Sequence, residues 1–347
     1  MKIAQIAPLA ESVPPRLYGG TERVVSYLTE ELVRLGHDVT LFASADSQTS
    51  ARLVACAPHA LRLDPRVRDP LPHHLLMLER VRKQAHEFDV LHFHVEHIHL
   101  PLFRPFARKC VTTLHGRLDL PDLAPLYREF SDMALVSISN AQRAPLGGAS
   151  FVGTVYHGLP EPVCPFNPAP RGDYLAFCGR VSPEKGLERA IEVARLAGMR
   201  LRIAAKVDAA EEQYFRTRIA PLLRDPLVEF IGEVDEATKP ALLGNARALL
   251  FPIDWPEPFG LAMIEAMSCG TPVIAWPHGS VPEIVEDGVN GRIVDSIDAA
   301  VAAVHDIGRI DRSRVRARCE ERFSAQRMAR DYLAVYRSLR KPQEVAA

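Results

Sequence analysis

Two carboxylates stand eight residues apart in the second half of the chain. Glu257 and Glu265 bracket the stretch EPFGLAMIE, which continues as AMSCGTPV. An apolar run over 249–252 reads as a strand, and a helix is predicted over 259–269. Glu257 then falls at the helix N-terminus, where the dipole favours negative charge. Glu265 lies two turns on, about 80° round the axis. Flanked by Ile264, Ala266 and Met267, it is a carboxylate in apolar surroundings and needs a partner. Gly260 lets a ligand approach the first-turn amides near Phe259 and Leu261, and a helix N-terminus is a natural anion site. One element therefore offers carboxylates for hydroxyl groups and amides for a phosphate.

Two cations stand five residues apart in FCGRVSPEKG, Arg180 and Lys185, just past a predicted strand over 175–178. A planar guanidinium fork beside a compact ammonium suits a diphosphate; pairing with Glu184 and Glu188 is the alternative. Gly19 and Gly20, in YGGTE, permit close backbone approach to a ligand, or make an ordinary turn before Thr21 as N-cap. Gly279 and Ser280, in AWPHGSVPE, form a turn whose amides could reach a phosphate. Of the 13 histidines, His92, His94, His97 and His99 form a run. Their spacing fits neither H-E-x-x-H nor a Cys/His finger, so no metal site is expected. His115, at the end of a predicted strand and before Gly116, is better placed for a ligand. There is no Walker A motif, no G-x-S-x-G elbow, and no D-x-D triplet of the kind that holds a divalent metal on a diphosphate; Arg180 and Lys185 could supply that charge.

The elements that must position these residues alternate. Strands are predicted over 2–8, 39–43, 90–94, 110–115, 134–139 and 154–157, with helices over 21–35 and 75–88. Five prolines between Gly158 and Gly172 exclude a helix or a central strand there. Beyond them come strands over 175–178, 201–205, 228–231, 249–252 and 273–275. Helices are expected over 186–196, 210–223, 236–246, 259–269, 299–307, 312–322 and 325–339. Such alternation makes parallel sheets covered by helices, with ligands beyond the C-terminal strand ends, where the motifs fall. The expected division is residues 1–158, a Pro-rich linker over 159–172, a second domain over 173–322, and a last helix from 323 to 347.

Length and composition agree. At roughly 150 residues per domain, 347 residues suggest two. A hydrophobic share of 47% and a charged share of 24% are those of a globular protein. A net charge of −1 gives no global reason to hold nucleic acid or an anionic membrane. No apolar run approaches the ~18 residues of a transmembrane helix, and the opening segment reads as a first strand rather than a signal peptide. Six cysteines, Cys56, Cys110, Cys164, Cys178, Cys269 and Cys319, form no C-x-x-C pair and read as reduced thiols of a cytoplasmic protein.

Together these motifs resemble glycosyltransferase family 4, the retaining enzymes of GT-B fold. The resemblance is carried by the E-x7-E block, Gly19-Gly20-Thr21-Glu22, the His92/His94 strand, His115, Ser137-Ile138-Ser139-Asn140, Gly179-Arg180, Lys185-Gly186, Phe230-Ile231-Gly232 and Pro282-Glu283-Ile284-Val285. It implies an α/β protein of two Rossmann-like domains whose parallel sheets face a deep cleft. The implied activity moves a sugar from a nucleoside-diphosphate sugar to a saccharide, lipid-linked saccharide or small-molecule acceptor, with retention, no metal and no cofactor. Arg180 and Lys185 would neutralise the diphosphate, Glu265 would hold the ribose, and Glu257 with the amides near Phe259, Gly260 and Leu261 would hold the sugar. Gly19 and Gly20 would approach the phosphate, His115 would lie near the reacting sugar, and the base would rest near Lys206 and Val234. The acceptor would bind the N-terminal domain, and the last helix, with Tyr332 and Tyr336, would return to it. A lipid acceptor would bring the protein to the inner membrane face. Departures are His157-Gly158-Leu159-Pro160 at the junction, Gly279-Ser280 for a Gly-Gly pair, and His115-Gly116 for His-Asp. A sugar-nucleotide epimerase and a non-catalytic sugar-nucleotide-binding protein are the alternatives.

Overall fold

A computed structural model describes residues 1–62, 64–161, 166–170 and 172–339. The expected linker falls partly, and Cys164 wholly, outside the described residues. The chain divides into two compact units. Unit 1 is Met1–Pro160 together with the chain from Ala325 onward, and unit 2 is Glu161–Ser324.

Unit 1 is built on strands β1 (Lys2–Ile6), β2 (Asp38–Ser44), β3 (Arg52–Ala57), β4 (Val90–Phe93), β5 (Cys110–Thr113), β6 (Ala134–Ser137) and β7 (Phe151–Thr154). They lie in the order β3-β2-β1-β4-β5-β6-β7, every pairing parallel. In the inner strands β1, β4, β5 and β6 nearly every residue is buried, as a parallel sheet with covered faces requires. Helix α1 (Gly20–Arg34) buries Val24, Val25, Leu28 and Leu32 along one stripe. Helix α2 (Leu71–Gln84) starts four residues before its expected Leu75, because Pro72 is tolerated in a first turn where the amide has no acceptor. Helix α3 (Leu123–Glu129) was not expected.

Unit 2 repeats the plan. Strands β8 (Tyr174–Arg180), β9 (Arg200–Lys206), β10 (Val228–Gly232), β11 (Ala248–Phe251), β12 (Val273–Ala275) and β13 (Gly291–Ile293) lie in the order β10-β9-β8-β11-β12-β13, again parallel. Its helices are α4 (Leu187–Leu196), α5 (Lys239–Asn245), α6 (Leu261–Ser268), α7 (Ile297–Asp306) and α8 (Arg312–Phe323). Helix α9 (Ala325–Leu339) belongs to unit 1, where Tyr332 and Tyr336 are fully buried. No described helix is long and apolar enough to cross a membrane.

Both sheets have the Rossmann order, in which the chain works outward from the first strand in one direction and then in the other. The point of reversal lies between β1 and β4 in unit 1 and between β8 and β11 in unit 2. Loops leaving those two strands diverge and open a crevice at their C-terminal ends. The loop after β8 carries Lys185 and the loop after β11 carries Glu257, so the topology alone makes them neighbours.

Three expectations are corrected here. The helix over 210–223 is broken into a short turn at Ala209–Glu211, a helical turn at Glu212–Tyr214 and a wider π turn at Phe215–Ile219. Pro221, which lacks an amide, stands just beyond Ala220. The strand over 154–157 instead spans 151–154, because Phe151 pairs with Leu135 and Thr154 with Ser137. Strands β3 and β13 are additional; both are edges, short or half-exposed, and lack a full apolar signal.

Candidate functional site

In unit 2, Lys185 sits in a single turn, Pro183–Lys185, between β8 and α4. Its ammonium pairs with Glu257 Oε2 and lies 4.7 Å above the Trp255 ring. The Trp255 indole N–H donates to the same Oε2 at 3.0 Å. Lys185 and Glu257 keep only 13% and 11% of their side-chain surface exposed. An attraction that is weak between solvated charges is stronger at such burial. Arg180, the last residue of β8, lies opposite Lys206, the last of β9. Its guanidinium reaches Glu184 at 3.3 Å and Asp208 at 3.9 Å, and Lys206 pairs with Asp208 at 2.6 Å. Both cations thus stand at strand ends, held by partly exposed carboxylates that an incoming anion can displace.

Glu265 is buried on α6, and the partner its surroundings demand is Lys239, the first residue of α5. The ammonium contacts Glu265 Oε1 at 2.8 Å and Glu236 Oε1 at 2.5 Å. Burial pulls the pKa of Lys239 down, but the charges of Glu265 and Glu236 outweigh it and hold the pKa above its usual value. The same neighbourhood holds Cys178, whose thiol burial and the Glu265 charge push up to about 12.

Gly260 precedes α6 in the left-handed region, φ 83°. A Cβ there would stand 2.7 Å from Met263 Cε and 3.0 Å from Phe251 Cζ. The first-turn amides of Leu261 and Ala262 have no acceptor within the helix and point outward along its axis. The Phe259 ring is in the core, edge-on to Phe323 at 6.0 Å. Gly279, at φ +57°, lies so close to the Glu257 loop that a Cβ would fall 2.3 Å from Glu257 N and 2.4 Å from Glu257 O. Ser280 donates its amide to Glu257 O at 2.9 Å and its hydroxyl to Phe259 O at 2.8 Å. Both donors of Ser280 are thus committed to the loop, and its expected amide donation to a phosphate gives way to fixing Glu257. Val234 borders a groove with Tyr174, Arg202, Ile231 and Leu242.

In unit 1, His115 follows β5 and its short loop is clamped from both sides. Glu96 Oε1 accepts the amides of His115 and Gly116, each at 3.0 Å. The Gln142 side-chain amide donates to Leu114 O at 2.9 Å and Gly116 O at 2.8 Å. Gln142 is itself placed by Ser139, whose hydroxyl oxygen accepts its backbone amide at 3.0 Å.

The His115 ring is set by a relay of neutral groups. Gln5 donates Nε2–H to Tyr336 Oη at 3.1 Å, so its carbonyl oxygen must accept from His94 Nε2–H, 2.8 Å away. Burial, with the nearby His92, holds the pKa of His94 well below its usual range, so its Nδ1 carries a lone pair. That lone pair accepts from His115 Nε2–H at 2.9 Å. Burial lowers His115 to about 3, and by elimination its Nδ1 is an acceptor, one with no hydrogen-bond partner among the described residues. His92 is engaged by Tyr336 and Thr113, each at 2.7 Å. His99 bonds Thr112 at 2.8 Å and stacks on Phe93, while His97 meets the edge of Tyr127, so the histidine run divides: the His92 and His94 rings pack 4.1 Å apart, and His97 and His99 make contacts of their own. Gly20 is the first residue of α1. Gly19 caps it, with Gly19 O accepting the Arg23 amide at 3.1 Å. Gly19 packs so tightly that a Cβ would meet Pro15 at 2.7 Å.

The sequence reading missed Lys239, Trp255, Glu96, Gln142 and Gln5 as site residues. A signal existed for two of them. Glu96 is a charge inside an apolar histidine run, and Trp255 stands two residues before Glu257. Lys239 looks like a solvated helix residue until α5 is packed on α6.

A family model described as glycosyl transferases group 1 matches residues 166–322, and one described as glycosyltransferase family 4 matches residues 18–144. The phosphatidyl-myo-inositol mannosyltransferase of Mycolicibacterium smegmatis is 27% identical, with 91% of this chain and 86% of that protein covered. The glycogen synthase of Mycobacterium tuberculosis is 28% identical over 95% of this chain and 94% of its own. Among solved structures, AviGT4, a glycosyltransferase involved in avilamycin A biosynthesis, superposes with a TM-score of 0.73 at 26% identity, covering 98% of each chain. Anabaena HepE, solved with UDP and glucose, gives 0.74 at 20% identity, covering 97% of this chain and all of that one. The fold is GT-B, and the chain belongs to glycosyltransferase family 4.

Proposed function

We propose that this glycosyltransferase moves a sugar with retention from a nucleoside-diphosphate sugar to a carbohydrate or lipid-linked acceptor, and does so without a metal ion. The observation that carries the reading is the Lys185–Glu257 pair, set between the β8 and β11 loops at the crevice of unit 2. Lys185 and Arg180 supply the charge that the diphosphate needs. Glu265, held by Lys239, accepts the ribose hydroxyls. Glu257 and the first-turn amides of α6 hold the sugar and its phosphate.

As the bond from the anomeric carbon to the β-phosphate oxygen breaks, negative charge grows on that phosphate. Cations and amides gathered there stabilise the transition state more than the ground state. The acceptor hydroxyl attacks from the face the phosphate leaves, forms the new C–O bond, and passes its proton to the departing phosphate. In unit 1, His115 Nδ1 is an acceptor and cannot donate to a hydroxyl. The acceptor binds unit 1. The two relatives differ in activity, one a phosphatidyl-myo-inositol mannosyltransferase and the other a glycogen synthase, so both lipid-linked and saccharide acceptors occur among proteins similar to this chain.

The test is a thermal-shift titration with UDP, GDP, ADP and TDP, each with and without Mg²⁺. A ligand at a hundred times its Kd stabilises by about 2.7 kcal/mol. One nucleotide should do so equally with and without metal, and Glu265→Ala should abolish the effect. No response to any of the four would defeat the reading.

A further inference from the structure

Trp255 has no role in the reading above, yet it touches both charged groups of the phosphate end of the site. Its indole N–H donates to Glu257 Oε2 at 3.0 Å, and its ring lies 4.7 Å beneath the Lys185 ammonium, which pairs with that same oxygen. One carboxylate oxygen therefore has two partners of different kinds. The ammonium is mobile on a flexible stem and is drawn to a stronger anion. The indole N–H is neutral, and its backbone is tied to Glu257 itself, whose amide donates to Trp255 O at 2.8 Å. The side-chain hydrogen bonds of this carboxylate from described residues both go to Oε2.

A diphosphate competes for Lys185 with more negative charge than one carboxylate offers. When Lys185 moves to it, Glu257 loses its cation while still largely buried. An unpaired carboxylate there would turn or take up a proton. The indole N–H is the group left to hold Oε2, which keeps Oε1 presented to a sugar hydroxyl. We propose that Trp255 is a positioning residue that retains Glu257 when Lys185 transfers to the donor phosphate, so that arrival of the phosphate releases the carboxylate to grip the sugar. This rests on the donor site proposed above.

Trp255→Phe keeps a ring face under Lys185 and removes the N–H. The probes are UDP, GDP, ADP and TDP, and UDP-glucose, GDP-mannose, ADP-glucose and TDP-glucose, with dissociation constants taken by calorimetry on the full chain. A hydrogen bond to a charged group is worth about tenfold or more in affinity. The variant should bind the bare diphosphate within about twofold of wild type and lose about tenfold for the matching sugar nucleotide. Equal loss for both ligands, or no loss for either, overturns the proposal. If wild type binds none of the diphosphates, the donor-site reading itself has failed, and this inference falls with it.

A second measurement needs no change at Trp255. The chain has two tryptophans, Trp255 and Trp276. In Trp276→Phe the remaining indole reports whether the ammonium leaves its face. Saturation with the stabilising diphosphate should shift its emission, and an unchanged emission at saturation would rule out the exchange.

Discussion

Lys239 shows how one residue can decide whether a site exists. Glu265 could not sit at 8% exposure on α6 without a counter-charge, and Lys239, at 14%, supplies it. Breaking a nearly buried pair by removing one partner costs about 3–5 kcal/mol, because the other charge stays buried alone. Lys239→Met should therefore destabilise unit 2 by roughly that much in urea denaturation, less whatever protonation of the stranded carboxylate recovers. Adding Glu265→Gln should restore the larger part. Losses that simply add would show that the two residues are not partners. At this scale the sequence was legible where a residue type does its own chemistry, as with Glu257, Arg180 and Lys185. It was illegible where a residue acts through another. Gln142 and Lys239 are ordinary polar helix residues by pattern, and only packing reveals that one clamps the His115 loop and the other holds Glu265.

At the level of elements, the alternation of apolar runs with amphipathic stretches fixed the central strands, because a strand buried on both faces has few polar residues to disguise it. Edges escaped for the opposite reason. β3 is half-exposed along most of its length and β13 has three residues, so neither carries a full signal. The segment over 210–223 has enough helical period to mislead, yet its turns tighten and widen before Pro221. A tightly constrained element of the site is the turn at Gly279, which packs on the backbone of Glu257. A left-handed backbone costs a side-chain-bearing residue about 1–3 kcal/mol, and the added carbon would also strike Glu257 N at 2.3 Å. Gly279→Ala should retain the α/β circular dichroism spectrum, lower stability by at least that amount, and abolish sugar transfer by displacing Glu257. Transfer at the wild-type rate would mean that the loop can move without consequence.

For the whole molecule, the decisive asymmetry is where the histidines are buried. His92, His94, His99, His115 and His157 all lie in unit 1, and burial is the first cause that lowers the pKa of each, His99 and His115 to about 3. In unit 2, His278 is half-exposed and His305 exposed. An unfolded histidine titrates near 6.5. Above that pH both states are neutral and the stability of unit 1 is intact. Below it the unfolded chain binds protons that the folded chain refuses, so stability drains as pH falls from about 6.5 toward the folded values. The slope is up to about 1.4 kcal/mol per pH unit for each such histidine. Five together can exhaust the stability of a domain, ordinarily about 5–15 kcal/mol, within two pH units. Unit 1 should therefore unfold first on acidification. The probes separate in the main, because Trp255 and Trp276 are both in unit 2, while the fully buried tyrosines Tyr127, Tyr332 and Tyr336 are in unit 1 and unit 2 adds only Tyr174 to the buried ones among the described residues. Near-ultraviolet tyrosine dichroism should collapse at a higher pH than tryptophan emission shifts, and the urea midpoint read by tyrosine should fall steadily between pH 6.5 and 5. A midpoint that stays level across that range would show that the histidine relay takes up protons without unfolding. The neutral-acceptor assignment of His115 Nδ1 would then have to be abandoned with it.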